Sequence, residues 1–188
     1  MGAQLAQMGM GVADTVMAGR YGSDDLAGVA LGSSILWPTL ILFMGVIQAV
    51  TPTVSQLNGS RSYSEIGEVI RQGIWMALFG GAAIFFILNN IGPVYELMRV
   101  DPAAVAIALP YLSMASYGLP ALMVFFCLRF LSDGMGDTRP ALIISVTALA
   151  LKIPMNYVLI YGKFGLPELG GVGCGVAQAI VMWLQLFL

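Results

Sequence analysis

Long hydrophobic runs, separated by short polar or glycine- and proline-rich segments, dominate this sequence. Each run carries few charges and is close to or above the roughly 20 residues that an α-helix needs to cross a bilayer. The pattern therefore predicts an all-α membrane protein whose chain crosses the bilayer six times. The predicted spans are approximately residues 1–18, 26–55, 66–90, 103–131, 141–161 and 172–188.

The two ends of the sequence add an expectation about the whole protein. The first run is barely long enough to span a membrane, and the last run is still apolar over residues 183–188. We therefore expect a fragment: one six-helix transmembrane lobe, with a truncated first helix, from a longer chain of transporter size.

Prolines mark places where the predicted helices should bend or break. Pro38 lies in the middle of the second span, where a kink is expected. In the fifth span, Pro154 should free backbone groups, as in the broken helices of transporters. The fourth span has a polar, kinkable middle formed by Ser113, Ser116, Tyr117 and Pro120.

Composition supports the membrane assignment and argues against several other classes. The 188 residues are 59% hydrophobic and 10% charged, with a mean hydropathy of +0.87, whereas soluble chains carry about 25% charged residues. A formal net charge of −2 without a basic patch argues against nucleic acid as a partner. Because the sequence has no histidine, histidine-dependent catalysis and histidine-ligated metals are excluded. Cys127 and Cys174 lie in apolar stretches and are predicted to be buried hydrophobic residues.

Two charged residues fall inside predicted spans. Asp14 lies among small and apolar residues of the first span, and Lys152 lies within the fifth. A charge at the bilayer centre costs about 2.5–3.5 kcal/mol on insertion scales, so such groups usually face an interior or a watery cavity and serve a function. If the two helices are adjacent, the two charges would pair and lower each other's cost. Gln7 is predicted to share the helix face of Asp14, and Asn156 lies one turn beyond Lys152.

Uncharged polar residues and methionines supply further candidates. Gln48 begins a polar stripe in the second span, and Gln178 shares a polar face with Cys174 and Gln185 in the sixth. Polar faces that converge suit a cation or substrate pathway, but each is also explained by hydrogen bonding between helices. Methionines give adaptable surfaces for varied apolar ligands, or simply pack. The candidate cavity-lining residues are Gln7, Met10, Met17, Gln48, Tyr117 and Gln178.

Several motifs, in order along the chain, resemble those of the MATE (multidrug and toxic-compound extrusion) transporters, especially the NorM-like bacterial branch. The run GVADTVMAG at 11–19 resembles the first-helix signature of that family. The others are PTVSQLNG at 52–59, IPMNY at 153–157, YGKFG at 161–165 and PELGGVGCGVA at 167–177. The resemblance implies a fold of twelve helices in two six-helix lobes around a central cleft, of which residues 1–188 would form the amino-terminal lobe.

The resemblance also implies a function, namely multidrug efflux by antiport across the cytoplasmic (inner) membrane of a bacterium. A small organic compound, often a cation, leaves as H⁺ or Na⁺ enters, and no cofactor is needed besides the coupling ion. The family acid corresponding to Asp14 is implicated in cation coupling, and the position of Asn156 lies near it, so a proton or Na⁺ site at these two residues is expected. The implied partners are the bilayer, the transported compounds and the missing carboxy-terminal lobe.

Two residues depart from the family pattern. Lys152 stands where similar members often have asparagine, and Gln178 where they often have threonine. A fixed ammonium beside Asp14 would compete with Na⁺ for the carboxylate, so these departures favour H⁺ as the coupling ion.

Three alternatives remain open from the sequence. A lipid-linked precursor flippase of the same superfamily would place several basic residues in its cavity, but this lobe offers only Lys152 and Arg129. A membrane-embedded enzyme would need paired acids or a metal motif. Asp133 and Asp137 are four residues apart, but they lie in a glycine-containing loop and are predicted to be turn and cap residues. A purely structural subunit would leave Asp14 unexplained, so we expect a transporter and not an enzyme.

Overall fold

The computed structural model describes residues 2–162 and 168–188, and the side chains of residues 2–4 are not part of that description. The motif at 161–165 and the start of the motif at 167–177 therefore lie partly outside the described residues. Within the described ranges the chain is all-α, without a strand. The helices are α1 (Gly2–Tyr21), α2 (Ser23–Ile47), α3 (Val50–Gly59), α4 (Tyr63–Asn89), α5 (Gly92–Leu97), α6 (Pro102–Ser116), α7 (Leu119–Gly134), α8 (Arg139–Ile160) and α9 (Gly171–Phe187).

The second predicted span consists of α2 and α3. Helix α2 runs through Pro38 without interruption, and the break comes ten residues later at Gln48 and Ala49. Both residues at the break keep right-handed helical dihedrals, and their amides still bond to the carbonyls of Met44 and Val46. The interruption is therefore a local loosening of one long apolar helix, and the proline does not determine where it falls.

The fourth predicted span bends, as its polar middle predicts. Helices α6 and α7 meet at an angle of 53° across Tyr117 and Gly118. Pro120, in the first turn of α7, has no N–H and therefore cannot continue the hydrogen-bond ladder of α6. The carbonyl of Tyr117, at the bend, accepts a hydrogen bond from the indole Nε1 of Trp183 at 3.1 Å, so α9 stabilises the bend.

The fifth predicted span is one continuous helix, and the break expected at Pro154 is wrong. Helix α8 is unbroken on both sides of this residue. It packs against both α1 and α9, and this contact on two sides holds the helix through the missing hydrogen bond. The buried residues of α8 form one stripe, which comprises Ala141, Ser145, Ala148, Lys152, Asn156 and Ile160.

The helices differ in whether their length and apolarity suffice to cross a membrane. By length and apolarity, Ser23–Gly59, α4 and α8 would each cross a membrane, and the bent pair of α6 and α7 would form a fourth span. Helix α9 is apolar but only 17 residues long. Helix α1 has 20 residues but falls short of the same apolarity because it contains Asp14, Arg20, several glycines and two glutamines.

Glycines let α9 approach its neighbours closely. A Cβ at Gly173 would lie 2.8 Å from the carbonyl oxygen of Leu159 on α8. A Cβ at Gly175 would lie 2.5 Å from the carbonyl oxygen of Tyr111 on α6. The glycines of the motif at 167–177 thus lie at the start of α9, where it contacts α6 and α8 closely. Asp25 caps this start, because its Oδ1 accepts a hydrogen bond from the amide of Gly171 at 2.6 Å.

The main core lies between α2, α4, α6, α7 and α9. It contains fully buried large side chains such as Tyr111, Leu112 and Met123. Cys127 and Cys174 are both free and buried, which confirms the prediction that they act as small hydrophobic residues.

The close approach of α6 and α9 gives a stability prediction. Replacing Gly175→Ala should lower the free energy of unfolding by about 1–3 kcal/mol, the usual cost of overpacking, because the new methyl would meet rigid backbone. The measurement is thermal unfolding of the full-length protein in detergent. Gly45→Ala is the matched control, since a Cβ at Gly45 on α2 meets nothing within 4 Å, and an equal loss of stability in both variants would contradict the packing argument.

Candidate functional site

A cluster of buried polar side chains lies where α1, α8 and α9 meet. The Lys152 ammonium donates to Oδ2 of Asp14 at 2.7 Å, and the Asn156 amide donates to Oδ1 of Asp14 at 2.6 Å. Lys152 also donates to the side-chain oxygen of Gln178. Asp14 is only 5% exposed and Lys152 only 1%. The four residues that the sequence singled out on three different helices therefore form one hydrogen-bonded unit.

The helices position these groups through buried stripes of matching register. On α1 the buried residues recur every fourth position, as Ala6, Met10, Asp14 and Ala18. Helices α1 and α8 run parallel, because Gly9 faces Leu149 and the Tyr161 hydroxyl donates to the carbonyl of Met17 at 3.5 Å. With this register, Asp14 lies against the turn of α8 that carries Lys152 and Asn156.

The ion pair sets the electrostatics of the site. Both carboxylate oxygens of Asp14 accept a hydrogen bond from a buried donor, and charge-assisted bonds of this kind are the strong ones. Removing one partner of a buried pair typically costs about 3–5 kcal/mol, because the other charge is left uncompensated. Any event that neutralises Asp14 therefore destabilises the present arrangement of α1 against α8.

A separate cavity of about 700 Å³ lies on the neighbouring face of α1, between α1, α2 and α7. It is mostly apolar, but several polar groups reach it. Its lining residues on α1 are Gln7, Met8, Gly11, Val12, Thr15 and Val16, and those contributed by the other segments include Ser33, Trp37, Met44, Gln48, Phe126, Arg129 and Phe130.

The structure divides the candidate residues into two groups. Gln7 and Gln48 line the cavity, as proposed from the sequence, but Asp14 does not. Gln7 lies near the Asp14 face, yet α1 presents it to the cavity and presents the acid to α8. Thr51, on the polar stripe that Gln48 begins, donates to the carbonyl of Phe130 at 3.2 Å and thereby joins α3 to α7.

Four candidates lie outside this cavity. Gln178 belongs to the buried cluster, and Met10 packs beside it with Ala148 and Val181. Met17 packs against the main core. Tyr117 is 58% exposed at the bend between α6 and α7, where its ring lies edge-on to a neighbouring phenylalanine at 5.3 Å.

Sequence reasoning missed Trp37 and considered Arg129 only for the flippase alternative. Trp37 and Arg129 line the cavity, although the sequence offered only a tryptophan in a long apolar run and an arginine near the end of a span. The Arg129 side chain is mostly buried, and its nearest acid is Asp133, with 3.8 Å between Nε and Oδ2. Asp137 accepts from the backbone amide of Arg139 at 3.1 Å and so acts as the predicted cap residue.

The described residues contain no group of three or more cysteines, aspartates and glutamates that would hold a metal ion. At the expected Na⁺ position both oxygens of Asp14 already accept hydrogen bonds from nitrogen donors. A sodium ion at this position would compete with the ammonium and the amide for the carboxylate. The arrangement is a buried salt bridge whose carboxylate also accepts a hydrogen bond from an amide.

Comparison with known proteins identifies the family. A model of the MatE family matches residues 1–158. The chain is 44% identical over 184 residues to the multidrug resistance protein MdtK of Yersinia pestis (strain Pestoides F), which covers 97% of this chain and 40% of that protein. It is 41% identical over 186 residues to a probable multidrug resistance protein NorM of Pasteurella multocida (strain Pm70). This match covers 99% of this chain and 40% of that protein. The chain therefore spans about two fifths of the length of these relatives.

Solved structures agree on the fold at 21% identity. An outward-facing multidrug resistance MATE family transporter of the MOP superfamily has a TM-score of 0.89, covering 100% of this chain and 41% of that one. The eukaryotic MATE transporter AtDTX14 has a TM-score of 0.90, covering 99% and 41%. An inward-facing MATE family transporter has a TM-score of 0.87, covering 96% and 40%. The predicted fold class, an all-α lobe of a MATE-type transporter, is confirmed, and the chain belongs to the MatE family.

Proposed function

We propose that this chain is the amino-terminal lobe of a multidrug antiporter, which moves organic, often cationic compounds out of a bacterial cell as protons enter. The observation that carries the proposal is the buried pair of Asp14 and Lys152 directly behind one wall of a large cavity. The names of the similar proteins, multidrug resistance proteins MdtK and NorM, support drugs as the cargo. Family membership favours transport over an enzymatic role.

The proton acts on this pair in a simple way. When Asp14 takes up a proton, it loses its charge, and the ammonium of Lys152 is left buried without a counter-charge. That state is costly, so α1 moves away from α8, or water reaches the ammonium. Either response shifts the wall of the cavity, because α1 carries both Asp14 and the residues that line it.

This mechanism differs from direct competition between proton and drug for one carboxylate. Asp14 is buried and does not line the cavity, so a compound in the cavity does not touch it in this conformation. The proton and the drug instead act on the same helix from its two faces. A ligand shifts such an equilibrium only as far as its affinities for the two states differ, so the cavity must change shape when Asp14 is protonated.

H⁺ is the better coupling ion than Na⁺ for this lobe. The ammonium of Lys152 lies where a bound cation would neutralise Asp14, and Gln178 accepts a further hydrogen bond from it. A proton needs no coordination shell, whereas Na⁺ would need several oxygen ligands in a place now filled by N–H donors. The proposed coupling site therefore consists of Asp14, Lys152 and Asn156.

A flippase for lipid-linked precursors is less favoured. Its pyrophosphate would need several cationic partners in the cavity. Among the lining residues only Arg129 is basic, and Lys152 is committed to the buried ion pair.

The first test replaces the acid in the full-length protein. Asp14→Asn should abolish drug resistance while membrane expression stays intact, because the amide neither carries the charge nor takes up the proton. The measurement is growth of cells in the presence of drug, with expression followed by immunoblot of membranes. Asp24→Asn is the matched control, because Asp24 is an exposed acid in the first turn of α2, and it should leave resistance unchanged.

A double variant separates loss of function from any loss of folding caused by the uncompensated charge of Lys152. Asp14→Asn with Lys152→Met removes both charges, so expression should stay intact and resistance should still be lost. Normal resistance in either variant at normal expression would remove Asp14 from the mechanism.

The second test concerns the coupling ion. Efflux by the full-length protein in vesicles should respond to an imposed pH gradient and not to a Na⁺ gradient. Lys152→Asn should make efflux respond to Na⁺, because the carboxylate loses its resident cation. Lys152→Arg retains the positive charge and should remain independent of Na⁺. An unaltered ion dependence in Lys152→Asn would reject the competition between ammonium and sodium.

A further inference from the structure

Three buried side-chain atoms in the α8–α9 region lack a hydrogen-bond partner among the described residues. They are Oδ1 of Asn156, Oγ of Ser145 and Nε2 of Gln185. Asn156 and Ser145 are fully buried, and Gln185 is 3% exposed. Buried polar groups in native proteins are nearly always satisfied by protein or by ordered water. These atoms therefore point to water inside the helix interface.

Register places Ser145 and Gln185 opposite each other. Helices α8 and α9 are antiparallel, since Lys152 contacts Gln178 while the earlier Gly173 lies against the later Leu159. Ser145 lies seven residues before Lys152 and Gln185 seven residues after Gln178, so both lie two turns below the ion pair on the facing stripes. The distance along the helices is about 10 Å.

An apolar layer separates these two polar layers. Met10 of α1, Ala148 of α8 and Val181 of α9 are buried together at the intermediate level. The interface of the three helices thus contains, in sequence, the ion pair with Asn156, an apolar barrier formed by Met10, and the pair of Ser145 and Gln185.

The lower polar layer lies near the end of the bundle where α1 begins. Ser145 is six residues, or about 9 Å along the helix, from the first residue of α8, Arg139, which is exposed. The buried residue between them on this stripe is Ala141, and the buried residue of α1 one turn below Met10 is Ala6. The side chains at this level of the interface are therefore small.

We propose that Ser145 and Gln185 hold water in a proton-access path to Asp14, and that Met10 is the hydrophobic barrier in this path. The inference rests on the proton-coupled function proposed above and adds the route by which the proton arrives. A proton enters as H₃O⁺, passes along hydrogen-bonded water, and is delivered to the carboxylate of Asp14, leaving H₂O behind. Met10 is unbranched and flexible, so its side chain can swing aside and let water connect the two polar layers.

The charges around Asp14 define where this path ends. Lys152 faces it from α8, and Cys174 of α9 and Tyr111 of α6 lie close enough to interact with its charge. The unpartnered Oδ1 of Asn156, whose amide nitrogen is bonded to Asp14, offers an acceptor for the last water before the carboxylate.

The first experiment detects the water directly. The full-length protein in ¹⁸O-labelled water is exposed to a brief X-ray pulse, and oxidation of individual methionines is measured by mass spectrometry. Met10 should be labelled although it is buried, because hydroxyl radicals form from water held beside it. Met123, which is fully buried in the main core, is the matched control and should stay unlabelled.

The double variant Ser145→Ala with Gln185→Leu removes both polar groups of the lower layer. Labelling of Met10 should fall about tenfold. Losing roughly one net hydrogen bond lowers the occupancy of water at the site by about that factor. Labelling of Met10 as weak as that of Met123 in the wild type, or unchanged labelling in the double variant, would overturn the proposal.

The second experiment follows the proton. The infrared carboxyl band of protonated Asp14, identified by its loss in Asp14→Asn, shifts when H₂O is exchanged for D₂O, and the rate of that shift is measured. The double variant should exchange about tenfold more slowly, whereas Met10→Ala should exchange faster because the barrier is shortened. Ser145→Thr retains the hydroxyl and should exchange at the wild-type rate.

The outcomes separate this path from the function on which it rests. Equal exchange rates in the wild type, the double variant and Met10→Ala would overturn the path and leave proton coupling intact. Absence of an Asp14 carboxyl band at every pH would contradict proton coupling itself and the path with it. A purely structural role would lower thermal stability in both variants, without opposite effects on exchange.

Discussion

The buried ion pair of Asp14 and Lys152 is the constraint on which the rest of this lobe depends. Two opposite charges withdrawn from water are tolerated only when they are close together and when their remaining hydrogen-bonding groups are satisfied. Here the carboxylate is bonded on both oxygens, and the ammonium also reaches Gln178. Since the groups come from three helices, the pair requires α1, α8 and α9 to keep one register.

The remainder of the fold supplies that register. Glycines bring α9 close to α6 and α8, and Asp25 fixes its first turn. In a membrane, where lipid tails are as apolar as side chains, such close backbone contact is a main source of helix association. Helix α1 is held differently, because one face carries the buried stripe and the neighbouring face lines the cavity. Helix α1 therefore joins the buried ion pair to the wall of the cavity.

Most of the helices and the two costly charges could be predicted from the sequence, because they depend on neighbouring residues in the chain. The absence of water in the bilayer makes long apolar runs helical, so most of the helices, the small buried cysteines and the bend near Pro120 follow from the order of residues. The cost of a charge in an apolar run also singled out Asp14 and Lys152 before any contact was known. Prolines did not determine where helices end: Pro38 and Pro154 both lie in uninterrupted helices, since packing on neighbours can hold a helix through one missing hydrogen bond.

The tertiary structure alone decided which polar residues meet. The sequence predicts that Gln7 and Asp14 share a helix face, but the placement of α2, α7 and α8 around α1 directs Gln7 to the cavity and Asp14 to the ion pair. Only the antiparallel register of α8 and α9 brings Lys152 to Gln178 and places Ser145 level with Gln185. The sequence by itself determined which groups are expensive to bury, because that cost belongs to each residue. Their partners depend on the distances between helices, which no single stretch of sequence contains.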